Sequence, residues 1–361
     1  MTKFIIDKND IIHNVNEVRR VSDSLVIPTL KADCYGLGAK TVFELLRDEC
    51  GILLFAVSRL EEALPLANKG ADILLLSCYH DEASYKTALE NNIIMSVDSL
   101  SLAKRIAKCA EEMGKTARVH IKVDTGFGRF GFIPEKVSDI AAIYSLSGLR
   151  VLGIFSHFSN SFSKYPDNAD KQLACFEQVC EALYEKGIDV GIRHIANSCA
   201  ALRNKKYALD AVRVGSALTG RLPMKTDADL VRVGRFETQV ADIRNLKKGA
   251  NIGYGNVFKL KKDTRVAVLC VGTADGVLIK KDYDTFRFFD ILRYGFGIFK
   301  MLFKDNNLKL KINGRSVRSV GRIALTHTMV DVSGIECKCG DTAVLDISPL
   351  YISPNVEREY V

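Results

Sequence analysis

No apolar run in this sequence of 361 residues is long enough to span a bilayer. The N-terminal stretch MTKFIIDKND is too charged for a signal peptide. These two absences lead to the expectation of a cytoplasmic protein with no membrane partner. A disulfide framework is also missing. The ten cysteines are scattered through apolar and helical patterns, as at Cys50, Cys109, Cys175 and Cys270, and read as reduced thiols used as small hydrophobes. Cys337 and Cys339 form a C-x-C with no second pair at zinc spacing, so no metal is expected. The net charge is +8, but basic runs such as Arg203 to Lys206 and Lys259 to Lys262 lack the interleaved aromatics of a nucleic-acid module. No nucleic-acid partner is expected; a basic surface equally suits anionic small molecules. Internal repeats and low-complexity segments are absent too.

What is present is a regular alternation. With 47% hydrophobic residues the chain can bury a large core. After a helical pattern at Ile11 to Val21, eight short apolar runs recur, at 25–31, 52–58, 72–77, 93–99, 118–125, 149–158, 192–198 and 211–218. Between them lie segments with apolar residues three and four apart, such as RLEEALPLANKG, DSLSLAKRIAKCAEEMG and DNADKQLACFEQVCEALYEKG. Eight is the number of strands that closes a parallel barrel. The fold class is therefore α/β, a (β/α)8 TIM-like barrel over residues 1–225. From 226 to 361 the texture becomes β-branched strands broken by Gly turns, with Asn313-Gly314 as a hairpin signal, which predicts a mostly antiparallel β-domain.

Chemistry in such a barrel gathers at the C-terminal ends of its strands. Lys31, Asp124, His157, Asn197 and Ser198 fall at such ends. Lys31 follows the apolar run LVIPTL, where an unpaired ammonium is costly to desolvate. It is either paired with a buried acid or poised as a nucleophile toward an aldehyde. Spacing alone leaves both readings open.

TLKADCYGLGA (29–39) resembles the cofactor-lysine motif of the alanine racemase family, pyridoxal phosphate (PLP) enzymes of fold type III. KVDTGFGRFGF (122–132), GIFSHFS (153–159), HIANSCAALR (194–203), VRVGSALTG (212–220), IGYGNVF (252–258) and VGTADGV (271–277) resemble the family's later motifs, in order and at fitting distances. The resemblance covers almost the whole chain. It implies a PLP-dependent amino-acid racemase, a cytoplasmic homodimer with shared sites, acting on alanine for peptidoglycan. Residues 1–225 would bind PLP, and 226–361 would contribute a tyrosine base to the partner subunit.

By the same resemblance, Lys31 and Tyr254 are the two bases, with His157 assisting. Lys31, Tyr35, His157, Asn197, Ser198, Arg213, Gly215 and Ser216 hold the cofactor, Arg213 facing its ring nitrogen with His194 behind. Arg129 and Leu325 meet the substrate, and Lys122, carbamylated in several relatives, orients Arg129. This chain departs from the family pattern at Thr273, where a tyrosine narrows the substrate entrance, and at Leu325 and Thr326, where a Met-Asp pair is usual. The C-terminus looks shortened, with Tyr351 a weak candidate for a late phosphate-binding tyrosine. These departures leave two alternatives open: a racemase of another amino acid such as serine or lysine, and a non-catalytic PLP-binding protein.

Overall fold

The structure, a computed structural model, describes residues 2–163, 165–279, 288–300 and 307–361. It divides into two compact units, Asp7–Val233 and Gly234–Val361, the latter joined by the N-terminal strand β1 (Lys3–Ile6). The sequence expectation put residues 1–225 together. Instead β1 pairs antiparallel with Arg235–Leu246 and parallel with Glu357–Tyr360, burying Phe4, Ile5 and Ile6 in the C-terminal sheet. A strand of four residues cannot stand alone, and its apolar side chains settle where two open strand edges await it.

In the first unit the eight apolar runs become eight parallel strands, each inside its predicted run except that β6 begins one residue earlier, at Ala117. They are β2 (Leu25–Pro28), β3 (Leu54–Val57), β4 (Asp72–Leu75), β5 (Met95–Val97), β6 (Ala117–Lys122), β7 (Leu149–Phe155), β8 (Ile192–His194) and β9 (Ala211–Val214). Hydrogen bonding runs β2-β9-β8-β7-β6-β5 in one sheet and β3-β4 in another. Single parallel bridges, Thr29 to Ala56 and Leu74 to Ile94, join the two and close the ring. Ile27, Ala56, Leu74, Ile94 and Ala211 fill the interior as one buried cluster. Burying each larger side chain contributes about 1.5–3 kcal/mol, and the alternation of each strand decides which residues point inward.

The helix at Lys8–Ser22 covers the predicted 11–21 pattern, with Asp7 as N-cap accepting from the Asn9 N–H. Segments 98–114 and 167–187 form helices at Leu100–Glu112 and Asp167–Tyr184. The segment 59–70 is helical only over Leu60–Ala63. Pro65 brings no N–H to continue the ladder, so the chain leaves the helix in turns.

The second unit carries one eight-stranded sheet. Its further strands are β10 (Arg235–Leu246), β11 (Thr264–Leu269), β12 (Lys309–Ile312), β13 (Arg315–Ser319), β14 (Thr328–Asp331), β15 (Thr342–Leu345) and β16 (Glu357–Tyr360). The order is β11-β14-β13-β12-β15-β10-β1-β16, with β10 also pairing β11, and all pairs but β1 with β16 are antiparallel. Asn313 and Gly314 make the tight β12–β13 hairpin with φ of 50° and 75°. A helix, Phe288–Lys300, lies where the sequence reading placed no element.

Candidate active site

The barrel opens on a cavity of about 380 Å³, within the range of small-molecule sites. Four cationic side chains line it, Lys31, Lys122, Arg129 and Arg213, and no carboxylate does among the described residues. Such a cavity selects an anionic ligand.

Lys31 does not end its strand. β2 stops at Pro28, and Lys31 opens a turn in which Ala32, Asp33, Cys34 and Tyr35 all take the left-handed conformation, with φ of 51–56°. A residue with a Cβ held there costs roughly 1 kcal/mol or more. Hydrogen bonds hold the turn in place: the Glu62 carboxylate accepts the Ala32 N–H at 2.7 Å, and the Asp33 carboxylate accepts the Ala39 N–H at 2.7 Å. The same Glu62 accepts the N–H groups of Ser58 and Arg59, so it ties the lysine turn to the next strand's exit. The turn brings the Tyr35 ring centre to 5.7 Å from the Lys31 Nζ. Burial, then the charge of Arg129, lower the Lys31 ammonium from its usual range, with Glu62 opposing.

Arg129 is presented by the loop after β6. The Asp124 carboxylate accepts the N–H groups of Gly126, Phe127 and Gly128 at 2.7–3.1 Å. Asp124 is a loop organiser: it stands just past the end of β6, as expected, but its carboxylate turns to the loop's N–H groups and does not line the cavity. Gly131 lets the loop return, since a Cβ there would stand 2.5 Å from the Asp124 nitrogen. The Arg129 guanidinium lies 4.4 Å from the Phe127 ring centre. Lys122 packs its Nζ 5.1 Å and 5.4 Å from the ring centres of Phe130 and Phe155. Burial lowers its ammonium to about 8.

Arg213, on β9, is buried at the cavity floor. It donates to the carbonyls of Ser156 (2.6 Å) and His194 (3.0 Å), to His194 Nδ1 (2.5 Å) and to His157 Nδ1 (3.1 Å). Burial lowers the guanidinium to about 9, so it stays protonated at neutral pH. Since arginine only donates, both imidazoles accept at Nδ1 and carry their proton on Nε2. His194 then donates to His120 Nδ1 at 2.8 Å. Burial first, then the charge of Arg213, hold His157 and His194 well below their usual range and His120 at about 3, so all three are neutral. The Nε–H of Arg213 has no partner among the described residues, and Arg213 lines the cavity, so an acceptor bound there would meet a ready donor.

The opposite wall is built for close approach. The Ser198 hydroxyl accepts the N–H groups of Gly215 (3.0 Å) and Ala217 (3.2 Å), and Asn197 caps the short helix Ser198–Ala201 through its Oδ1. A Cβ on Gly215 would lie 2.3 Å from the Tyr35 hydroxyl. Tyr35, Asn197, Ser198, Gly215 and Ser216 thus meet at one end of the cavity.

Tyr254 and Leu325 belong to the other unit. Tyr254 stands on a short turn between two glycines with φ of 77° and is 73% exposed, and Leu325 is 71% exposed. Thr273 opens the turn Thr273–Asp275, Thr326 shares a hydrogen bond with His327 at 3.0 Å, and Tyr351 closes the turn Pro349–Tyr351.

Family models for the alanine racemase N-terminal and C-terminal domains match residues 6–223 and 233–349. The chain belongs to the alanine racemase family. An alanine racemase of Clostridium tetani is 34% identical, covering 94% of this chain and 84% of its own length. One of Methanococcus maripaludis is also 34% identical, over 92% and 84%. Among solved structures, the alanine racemase of Clostridium difficile 630 superposes with a TM-score of 0.84 at 26% identity, covering 100% of this chain and 95% of its own. That of Bartonella henselae, which carries covalently bound pyridoxal phosphate, shares the fold with a TM-score of 0.81 at 23% identity, covering 100% and 99%. As a family member this chain is a PLP-dependent racemase. The cavity fits that cofactor: an enclosed amine at Lys31, an unpartnered N–H at Arg213, cationic walls, and a cradle at Gly215 that a Cβ would fill.

Two contributors escaped the sequence reading. Glu62 has no motif, because its partner Ala32 comes from the preceding strand's exit. His120 could have been found: it sits two residues before Lys122 in RVHIKV and so shares its inward face.

Proposed function

We propose that this protein interconverts L- and D-alanine in a site completed by a second copy of the chain. Bound PLP would acidify the Cα–H of an amino acid joined to it, by drawing electron density into its ring. Lys31 holds the cofactor and moves the proton on one face of Cα, which its lowered ammonium favours. Tyr254 of the partner subunit serves the other face, where its exposure leaves it available. His157, neutral and with its proton on Nε2, donates to the phenolic oxygen. Arg213 donates its Nε–H to the ring nitrogen and, keeping its own proton, leaves that nitrogen unprotonated. Tyr35, Asn197, Ser198, Gly215 and Ser216 hold the phosphate. Arg129 and Leu325 meet the substrate carboxylate and side chain. Lys122, with an appreciable unprotonated fraction at neutral pH, supports Arg129, and its amine is suited to carbamylation. A cytoplasmic supply of D-alanine for peptidoglycan is the biological role consistent with this chemistry.

The observation that carries the reading is the unpartnered Arg213 donor opposite the enclosed Lys31 amine. The test is one cuvette: the purified protein with PLP, then L-alanine, then a coupled assay for D-alanine. A visible absorption band lost in Lys31→Ala, together with D-alanine formation, is the expected result. The band without D-alanine overturns the substrate assignment and moves it to a serine or lysine racemase or a non-catalytic binder, as Thr273 and Thr326 would suit; a panel of L-amino acids then separates these.

A further inference from the structure

The helix Phe288–Lys300, FFDILRYGFGIFK, is inside out. Asp290 is 5% exposed and Tyr294 half-buried, whereas Phe288, Phe289, Phe296 and Phe299, with three aliphatic neighbours, are 54–81% exposed. At 3.6 residues per turn the exposed apolar residues occupy about half of the helix circumference. Soluble proteins seldom show apolar patches beyond a few hundred Å² without a partner for them.

The border of this face is cationic. Arg293 and Lys300, seven residues apart, run alongside Phe289 and Phe296, and the Lys300 Nζ lies 5.0 Å from the Phe296 ring centre. Asp290 points inward and pairs with Arg293 at 3.0 Å. Within the helix, Arg293 and Lys300 stand against the single acid Asp290. The helix has 13 residues, about 20 Å in length, too short to cross a bilayer.

We propose that this helix lies in the interface of an anionic phospholipid membrane and holds the enzyme there as a peripheral protein. The four phenylalanines enter the acyl boundary while Arg293 and Lys300 reach the headgroups. Charge favours this occupant over an antiparallel second copy: laid on itself that way about a two-fold axis, the face would bring its cationic borders toward each other, whereas anionic lipid attracts them. The sequence expectation of no membrane partner rested on the lack of a spanning run, and an interfacial helix needs none. The inference does not depend on which amino acid the enzyme racemises.

The test uses the full-length holoenzyme in co-sedimentation with vesicles of phosphatidylcholine alone or with added phosphatidylglycerol. Binding at least about tenfold stronger to the anionic vesicles, weakened by salt, is expected. The double variant Phe289→Asp/Phe296→Asp should lose that binding while keeping racemase activity and solution mass. Arg293→Glu/Lys300→Glu should lose the preference for anionic vesicles, and it decides the matter if the first variant does not fold. No binding by the wild type overturns the proposal, as does binding that both variants retain. A fall in solution mass in the phenylalanine variant also overturns it, assigning the face to a second copy.

Discussion

Arg213 shows how a buried guanidinium is kept charged. No carboxylate pairs with it among the described residues; carbonyls and neutral imidazoles accept its hydrogen bonds, which stabilises the cation without cancelling it. His120 ends this chain of hydrogen bonds and makes the fold sensitive to acid. Folded, it titrates at about 3 against a usual 6.5. Between those values only the unfolded chain takes up the proton, so stability is full above about pH 6.5 and falls as the pH drops toward 3, by up to ~1.4 kcal/mol per pH unit. Urea unfolding of His120→Asn, which keeps an acceptor for His194, should therefore show a shallower decline between pH 6 and pH 4 than the wild type, with both ends of the range on the acid side of the usual value of about 6.5. Gly215 is a second residue whose role is a distance. A methyl group there meets Tyr35 at 2.3 Å, so Gly215→Ala should weaken PLP binding by about tenfold or more, read by titration of the visible band, with the fold retained. Arg213 was legible within the apolar run VRVGSAL, because an arginine in such a run needs a reason. His120 was equally visible yet unread, since one histidine in an apolar strand is most often a core residue.

At the scale of elements, the eight strands were legible because each is a short apolar run between turn or helix signals, and the Asn313-Gly314 hairpin because two residues in succession need positive φ. The lysine turn was not. Ala32, Cys34 and Tyr35 carry no local preference for the left-handed conformation, and beside the local bonds of the turn it is Glu62, 30 positions on, that supplies the acceptor tying it to the next strand's exit. Glu62→Gln keeps one acceptor oxygen for three N–H groups, so one side of the tie must open. A stability loss of about 1–2 kcal/mol is expected, measured by urea midpoint. Because the Glu62 charge raises the Lys31 ammonium, its removal should also lower the pH at which Lys31 becomes reactive, seen in the pH dependence of PLP capture. The shortened helix at Leu60–Ala63 and the exposed helix at Phe288–Lys300 mark two further limits of pattern reading. In the first a single proline overrides a helical period; in the second the period says that a face is apolar without saying what lies against it.

For the whole molecule, the proposed sharing of a site between two copies has a quantitative signature. Lys31→Ala and Tyr254→Phe should each be inactive alone. Mixed one to one and allowed to exchange subunits, half of the dimers are hybrids, and each hybrid has one site with both bases, so activity should return to about a quarter of the wild type. Mixtures that stay inactive despite exchange would place both bases of a site in one chain. The sequence by itself determined the barrel and the β-domain, since alternation and helical period are local properties that hydrophobic burial converts directly into strands and helices. It also named, through a resemblance, half of the residues that line the cavity, including all four cationic ones. Tertiary structure decided what no local pattern carries: that β1 joins the C-terminal sheet, that Asp124 organises a loop, that Glu62 holds the lysine turn, and that His120 stands behind His194. All of these but the Asp124 loop, whose donors lie two to four residues on, depend on two groups far apart in the chain meeting at hydrogen-bond distance. Such meetings are set by how the barrel closes and the sheet pairs, and therefore appear only once the chain is folded.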